Sequence, residues 1–194
     1  MDPQPLERAA RRRRWLQRLT LLAVLAAVLY LGLLGSRVLW PVRYESLIYE
    51  QADAHHLDPD LVGAVIFAES RYRQAAVSPQ GALGLMQLMP STGQWIAEQL
   101  GLETPSIDDL LDPALNIRLG TWYLAQLLDR FGDAQLALWA YNAGPSNVDR
   151  WLETGDSPFP ETSAYAERVT SVRFIYRIYF RFPLVRSLTP SLVF

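Results

Sequence analysis

FAESRYRQAAVSPQGALGLMQLMP, residues 67–90, joins the end of a predicted helix to a loop that contains two glycines. Upstream, Asp58 and Pro59 predict the start of that helix, because Asp is a preferred N-cap residue and Pro at the first position needs no N–H partner. Apolar residues then recur at helical spacing, namely Val62, Val65 and Ile66. The next position on the same stripe is Glu69, so the apolar face ends in a carboxyl group.

Glu69 is the candidate catalytic residue. A carboxyl group on a buried face loses hydration, and one in the last turn of a helix lies near backbone carbonyls that disfavour negative charge. Both effects raise its pKa, and a carboxylic acid that keeps its proton near neutral pH is what protonation of a glycosidic oxygen requires. The alternative is that Glu69 closes the helix and turns to solvent beside Arg71 or Arg73.

The whole chain predicts a mainly α protein with one hydrophobic core. It has 194 residues, half of them apolar, and no internal repeat. Sustained strand alternation is absent, and helical periodicity recurs at 43–56, 59–70, 91–100, 114–130, 134–142, 146–153 and 162–181. Ser91 and Asp112 are predicted helix starts, and Gly101 and Gly132 are predicted helix ends.

The composition argues against a metal centre or a phosphate-binding loop. The chain has no Cys, and its two histidines, His55 and His56, are adjacent, so they do not face one metal ion from a helix. The chain also has no Lys, which excludes a P-loop around Gly81 and Gly84. These glycines are instead expected to let the backbone approach a bulky substrate. We therefore expect neither a cofactor nor a metal.

An N-terminal segment predicts a single-pass membrane anchor. Residues 19–36, LTLLAVLAAVLYLGLLGS, carry no charge and are long enough to cross a hydrocarbon core as a helix. Residues 1–43 contain eight arginines and two acids, a net charge of +6, and the remainder of the chain carries −8. By the positive-inside rule, residues 1–18 are cytoplasmic, 37–43 form a linker, and a domain at 44–182 lies outside the cytoplasmic membrane. The acidic domain argues against a nucleic-acid partner.

The two ends of the chain leave alternatives open. The apolar segment could also be a cleaved signal peptide. No convincing small-x-small cleavage site follows it, which favours an uncleaved anchor. Pro183 is expected to end the last helix, and the arginines around it argue against a second span. The apolar tail at 183–194 is expected either to pack on the domain or to touch the bilayer surface.

Four motifs occur in the order found in soluble lytic transglycosylases. SPQGALGLMQLMP at 78–90 resembles the SPxGAxGLMQxMP signature of that family, and Glu69-Ser70 resembles its catalytic ES pair. AYNAGP at 140–145 resembles its AYNAGP motif, and ETSAYAERV at 161–169 resembles its ETxxYxxxV block. The chain departs from the family at Ser163, where Arg is frequent, and at Ser146, where Gly is common. Both departures lie at the expected edge of the cleft.

The resemblance, which covers roughly residues 44–182, implies a lysozyme-like helical domain. It implies cleavage of the β-1,4 bond between N-acetylmuramic acid and N-acetylglucosamine in peptidoglycan glycan strands, without water, to give 1,6-anhydro ends. It assigns catalysis to Glu69, acting first as acid and then as base. It also implies substrate contacts for Ser78, Gln87, Met89, Tyr141, Asn142, Glu161 and Tyr165. Partners in the cell-wall machinery stay unassigned.

The residues by themselves leave other interpretations open. Tyr141 can be a core tyrosine, and Met86 and Met89 can pack into the core. A hydrolytic muramidase would use water in place of the C6 hydroxyl, and a non-catalytic peptidoglycan-binding protein would need neither Glu69 nor Ser78. Six Trp and nine Tyr are many for this length, and some are expected to stack on sugar rings. Trp122 and Tyr123, on an apolar helix face, are expected to be mainly structural.

Overall fold

The computed structural model of the protein describes residues 4–39 and 41–181. The chain divides into two compact units, Met1–Leu39 and Trp40–Phe194. The first unit consists of one helix, α1 (Gln4–Leu39), within its described part. The predicted tail at 183–194 lies outside the described residues.

Helix α1 contains the predicted membrane span at 19–36 without a break. Its segment Arg11–Gly32 is long and apolar enough to cross a membrane, by length and composition. Large apolar side chains on this segment are exposed, among them Leu21 and Leu31. Such a surface is unfavourable in water, so the segment has the character of an anchor or of a signal sequence.

Seven α-helices and one short 3₁₀-helix form the second unit within residues 41–181. They are α2 (Glu45–Ala54), α3 (Pro59–Ser70), α4 (Pro90–Gln99), the 3₁₀-helix (Asp109–Leu111), α5 (Pro113–Phe131), α6 (Ala134–Ala143), α7 (Pro145–Thr154) and α8 (Pro160–Arg181). The mainly α prediction is confirmed, and the sequence missed only the 3₁₀-helix among these elements. No strand occurs within 41–181, where two isolated β-bridges, Val77–Leu83 and Leu83–Leu88, fold the glycine-containing loop.

Helix α5 begins and ends as its sequence predicts. The Asp112 carboxylate accepts a hydrogen bond from Leu115 N at 2.9 Å and so satisfies one free N–H of the first turn. Gly132 ends the helix with φ of 65°, a left-handed conformation that costs glycine little.

The other two predicted helix starts need correction. Asp58 occupies the N-cap position of α3, but its carboxylate makes no capping hydrogen bond and pairs instead with Arg173 Nη2 at 2.6 Å. Helix α4 begins at Pro90 and has Met89 as its N-cap residue, so Ser91 lies inside the helix. Proline at the first position, which lacks an N–H, makes a side-chain cap less necessary at both helices.

Helix α3 lies at the centre of the core and packs along α8. Residues 61–66 of α3 are all buried, a wider surface than the single apolar stripe predicted. The buried Asp60 carboxylate holds the start of α3 against α8, through Arg173 Nε at 3.4 Å and Arg177 Nε at 3.0 Å. This pairing fixes α3 and α8 relative to each other, and Glu69 lies at the opposite end of α3.

Candidate active site

Glu69 lies in the last turn of α3, immediately before an unusual backbone turn. Arg71 and Tyr72 both have positive φ, 52° and 61°, a conformation that non-glycine residues adopt rarely. Tyr72 is held there by burial and by a hydrogen bond from its hydroxyl to Gly63 O at 3.2 Å. Backbone strain of this kind persists only where surrounding packing enforces it, and it is frequent at functional sites.

The Glu69 side chain is partly exposed and has a strongly perturbed pKa. Burial of the carboxyl group raises its pKa from 4.5 to about 7, against the smaller opposing effects of the Tyr165 hydroxyl and the Arg168 guanidinium. The direction matches the sequence prediction, and desolvation is the dominant cause. Arg71 instead lies over the Phe67 ring, at 5.8 Å from its centroid, and Arg73 donates to Ser70 O. Burial of the carboxyl group and these other contacts of the two arginines argue against the solvent-facing alternative for Glu69.

Two tyrosines from different helices flank this carboxyl group. Tyr141, on α6, donates its hydroxyl proton to Met86 O at 2.9 Å, and Tyr165, on α8, is buried. The pKa of each phenol is raised, first by burial and then by the nearby Glu69 charge. The Tyr165 hydroxyl acts on the Glu69 carboxylate electrostatically but has no partner at ordinary hydrogen-bond geometry among the described residues. Tertiary packing thus brings Glu69, Tyr141 and Tyr165 together.

The loop between α3 and α4 is closed by its own side chains. Ser78 Oγ accepts a hydrogen bond from Ala82 N at 3.0 Å. Gln87, with φ of 48°, donates from Nε2 to Ala76 O at 3.1 Å and to Gly84 O at 2.8 Å. These contacts show how the loop keeps its shape, and the substrate contacts of Ser78 and Gln87 stay predictions.

Asn116, on α5, is the residue that the sequence analysis missed. It is fully buried, accepts a hydrogen bond from Met86 N at 2.7 Å, and donates to Leu83 O at 3.0 Å and to Leu110 O at 2.7 Å. Asn116 therefore fixes the loop segment that contains Met86, whose carbonyl oxygen accepts the hydrogen bond from the Tyr141 hydroxyl. The available signal was a polar residue next to Leu115 and Leu119 on an otherwise apolar helix face.

Gly84 is required by this packing, and the approach of its backbone to a substrate stays a prediction. Its φ is 77°, and a Cβ there would lie 2.4 Å from Asn116 Nδ2 and 2.7 Å from Leu110 O. Gly81 also has positive φ but has open space around its Cα. Of these two loop glycines, Gly84 is thus the one required for a close approach within the protein.

The remaining predicted site residues are close in sequence to the residues described above. Met86 is buried in the core, as one alternative predicted, whereas Met89 is 40% exposed. Asn142 is exposed and follows Tyr141 on α6, and Glu161 is exposed in the first turn of α8, one turn before Tyr165. Their roles in binding stay predictions.

Comparison with known proteins gives one consistent family. The profile of the Transglycosylase SLT domain family matches residues 46–159, more than half of the chain. The soluble lytic murein transglycosylase of Escherichia coli K12 is 31% identical over 155 residues, which cover 72% of this chain and 24% of that protein. The membrane-bound lytic murein transglycosylase F of Desulfosudis oleivorans is 37% identical over 113 residues, 55% of this chain and 23% of that protein.

A solved structure shares the fold. An inactive mutant of lytic transglycosylase Slt from Pseudomonas aeruginosa superposes with a TM-score of 0.69 at 31% identity, over 81% of this chain and 26% of that chain. The chain thus spans about a quarter of the length of these relatives. Since the family profile covers most of the helical unit that holds Glu69, Tyr141 and Tyr165, the chain belongs to the Transglycosylase SLT domain family.

Proposed function

We propose that this protein is a membrane-anchored lytic transglycosylase that cleaves the bond between N-acetylmuramic acid and N-acetylglucosamine in peptidoglycan. The observation that carries the proposal is the environment of Glu69. Its pKa of about 7 leaves a large fraction of the carboxyl group protonated at neutral pH, which suits a general acid. The names of the relatives, lytic murein transglycosylases, support the same reaction.

The charges around Glu69 favour a mechanism with one carboxylate. Among the described residues, the groups that perturb its pKa besides burial are Tyr165 and Arg168, and no second carboxylate is one of them. Most glycosidases pair two carboxyl groups, and the exceptions use a group of the substrate in place of the second. The N-acetyl group of the muramyl sugar is such a group.

The reaction then proceeds in two steps. Glu69 donates its proton to the glycosidic oxygen, the bond from that oxygen to C1 breaks, and the N-acetyl oxygen bonds to C1 to give an oxazolinium ion. Glu69, now a carboxylate, takes the proton from the C6 hydroxyl, whose oxygen attacks C1 and displaces the N-acetyl oxygen. The product is a 1,6-anhydro sugar, and Glu69 regains its proton. No cofactor takes part in either step.

Tyr141 is suited to orient the N-acetyl group. Its hydroxyl proton is already donated to Met86 O, so the phenolic oxygen offers its lone pairs as acceptors. An acetamido N–H is a donor of the matching type. Hydrogen bonding there would hold the N-acetyl oxygen toward C1, where effective concentration favours ring closure.

Digestion of purified sacculi by the full-length protein in mild detergent tests the proposal. We expect anhydromuropeptides to dominate, identified by mass spectrometry as lighter by one water than their hydrolysed counterparts. Products that end mainly in reducing muramic acid would instead establish a hydrolytic muramidase. Binding of sacculi without any soluble product would support the non-catalytic alternative.

The pH dependence should report the Glu69 environment. Because protonated Glu69 is the acid, activity should fall as pH rises through about 7. The Tyr165 hydroxyl lowers the pKa of Glu69, so Tyr165→Phe should raise that pKa and move the alkaline limb of the kcat/KM profile to higher pH, by about one pH unit or less.

Tyr44→Phe is the matched control for this measurement. Its hydroxyl donates to Gln74 Oε1 at 3.3 Å at an exposed position, and it is not among the groups that perturb Glu69. The control should leave the alkaline limb in place. A limb that stays fixed or moves to lower pH in Tyr165→Phe would contradict the proposed role of that hydroxyl.

We also propose that α1 crosses the cytoplasmic membrane with its N-terminus inside. Support comes from the exposed apolar surface of Arg11–Gly32 and from the arginines that precede it. The full-length protein should then fractionate with membranes and resist extraction by high salt. Protease added to spheroplasts should digest the helical domain and spare residues 1–18. A protected domain would show the opposite orientation, and recovery of the intact chain in the soluble fraction would show that α1 is not an anchor.

A further inference from the structure

A cavity of about 510 Å³ lies apart from Glu69 and Tyr141, neither of which is among its described lining residues. Helices α4 and α5 supply most of its walls, and Pro145 at the start of α7 completes them. Its volume is in the range of small-molecule sites in proteins. Its lining includes the side chains of Ser91, Thr92, Trp95, Tyr123, Gln126 and Arg130.

A chain of aromatic contacts connects this cavity with the proposed reaction centre. Trp95 meets Tyr123 edge to face, with ring centroids 6.1 Å apart, and Tyr123 lies 5.6 Å from Tyr141 at a tilt of 45°. Tyr141 in turn donates a hydrogen bond to Met86 O, and the nearby Glu69 charge raises its pKa. Tyr123, which lines the cavity, is therefore in direct ring contact with the tyrosine beside the acid.

Trp95 packs against two aromatic rings but is not a core residue. Its neighbours on α4, Gly93, Ile96 and Ala97, are buried, whereas Trp95 remains 45% exposed. Trp122 fixes the indole from one side at 5.8 Å, in addition to Tyr123. An exposed indole held by two aromatic neighbours presents a rigid apolar surface, which binds a flat ligand at little entropic cost.

The polar groups around this surface favour a neutral ligand with many hydroxyls. Ser91, Thr92 and Gln126 can both donate and accept hydrogen bonds. The one cation of the described lining, Arg130, is already paired with Asp149 at 2.7 Å, so its charge is largely compensated. An anionic ligand, such as a peptide carboxylate, gains little from a compensated cation. A pyranose ring, with an apolar C–H face and hydroxyls at its edge, matches both the aromatic surface and the polar rim.

We propose that Trp95 and Tyr123 form a distal sugar-stacking subsite, which binds a neutral pyranose of the same glycan strand away from the bond that is cleaved. The inference rests on the proposed function for its substrate class. It adds a binding role to the structural one expected for Tyr123, because Tyr123 both packs against the core of the α4–α5 region and lines the cavity. The subsite makes binding depend on the length of the glycan.

Titration with neutral β-1,4-linked N-acetylglucosamine oligomers tests the subsite without turnover. The full-length Glu69→Gln protein in mild detergent is compared with the same protein carrying Trp95→Ala or the conservative Trp95→Phe. We expect Trp95→Ala to weaken binding of the hexamer about tenfold and to change binding of the dimer little, with Trp95→Phe intermediate. Phe174→Ala, which removes an exposed aromatic side chain from α8 that does not line this cavity, is the control and should change neither affinity. Circular dichroism verifies the fold of each variant.

Two results would overturn the subsite: equal affinity of Trp95→Ala and its parent for the hexamer, or equal loss for hexamer and dimer. Failure of the proposed function is distinguishable from either. If the wild-type protein yields no anhydromuropeptides while Trp95→Ala weakens hexamer binding, the reaction is wrong and the subsite stands. If anhydromuropeptides form and Trp95→Ala leaves the affinity for the hexamer unchanged, the proposed reaction stands and the proposed subsite is wrong.

Discussion

Glu69→Gln should abolish peptidoglycan cleavage and leave the fold intact. The amide keeps the shape of the carboxyl group but can neither donate a proton to the glycosidic oxygen nor accept one from the C6 hydroxyl. Because one group serves both steps in the proposed mechanism, we expect a loss of at least about a thousandfold in kcat. Release of anhydromuropeptides from sacculi, followed by mass spectrometry, measures it.

The same substitution should stabilise the protein in a pH-dependent way. The pKa of Glu69 is raised from 4.5 to about 7 on folding, so the folded state binds more protons than the unfolded state between these values. The free energy of unfolding of the wild type therefore decreases as pH rises from about 4.5 to about 7, and this contribution of Glu69 protonation is fully lost above about 7. At about 1.4 kcal/mol per pKa unit, Glu69→Gln should gain on the order of 3 kcal/mol relative to wild type near pH 8, and little near pH 4.

Glu153→Gln provides the matched control, because it makes the same chemical change at an exposed position on α7. It should change neither activity nor the pH dependence of melting. Activity of Glu69→Gln within a few-fold of wild type would refute the catalytic assignment. A stability difference between Glu69→Gln and wild type that is independent of pH would refute the raised pKa.

Asn116→Ala should give the largest loss of stability. The change removes three hydrogen bonds and leaves Met86 N, Leu83 O and Leu110 O without the partner they have in the fold. Each unsatisfied buried group costs about 1–3 kcal/mol, so we expect the free energy of unfolding to fall by about 4 kcal/mol. Denaturant unfolding monitored by tryptophan fluorescence measures it.

Activity should fall as well, even at temperatures where the Asn116→Ala variant is folded. Asn116 holds Met86, and the Met86 carbonyl receives the Tyr141 hydroxyl, so a shift of this segment displaces the group proposed to orient the substrate. Asn147→Ala is the control, because the Asn147 amide donates a single bond, to Ala143 O at 2.7 Å, at a partly buried position. Its cost should stay near 1 kcal/mol. Equal effects of the two substitutions would show that Asn116 has no special place in the loop.

Local sequence determined the helices and most of their ends. Pro59, Asp112 and Gly132 act within one turn of the backbone, so their influence can be read without knowledge of the fold, and α3 and α5 begin and end within one residue of the prediction. The same local reasoning was wrong for Ser91 and for the side chain of Asp58. For Asp58 a residue distant in sequence was decisive, because Arg173 on α8 forms an ion pair with the Asp58 carboxylate.

The sequence also predicted the raised pKa of Glu69, because an acid at the end of a buried apolar stripe loses hydration, but it left the solvent-facing alternative open. The family resemblance implied Tyr141 and Tyr165 as site residues, but only the tertiary structure decided how they contact the surroundings of Glu69. Tyr141 and Tyr165 lie some seventy and a hundred residues along the chain, and the packing of α6 and α8 on α3 brings them to the carboxyl group. Tertiary packing also decided the roles of Asn116, Gly84 and Trp95. Their roles come from contacts between segments distant in sequence, and helical periodicity reports which side of one helix is buried but not what lies against it.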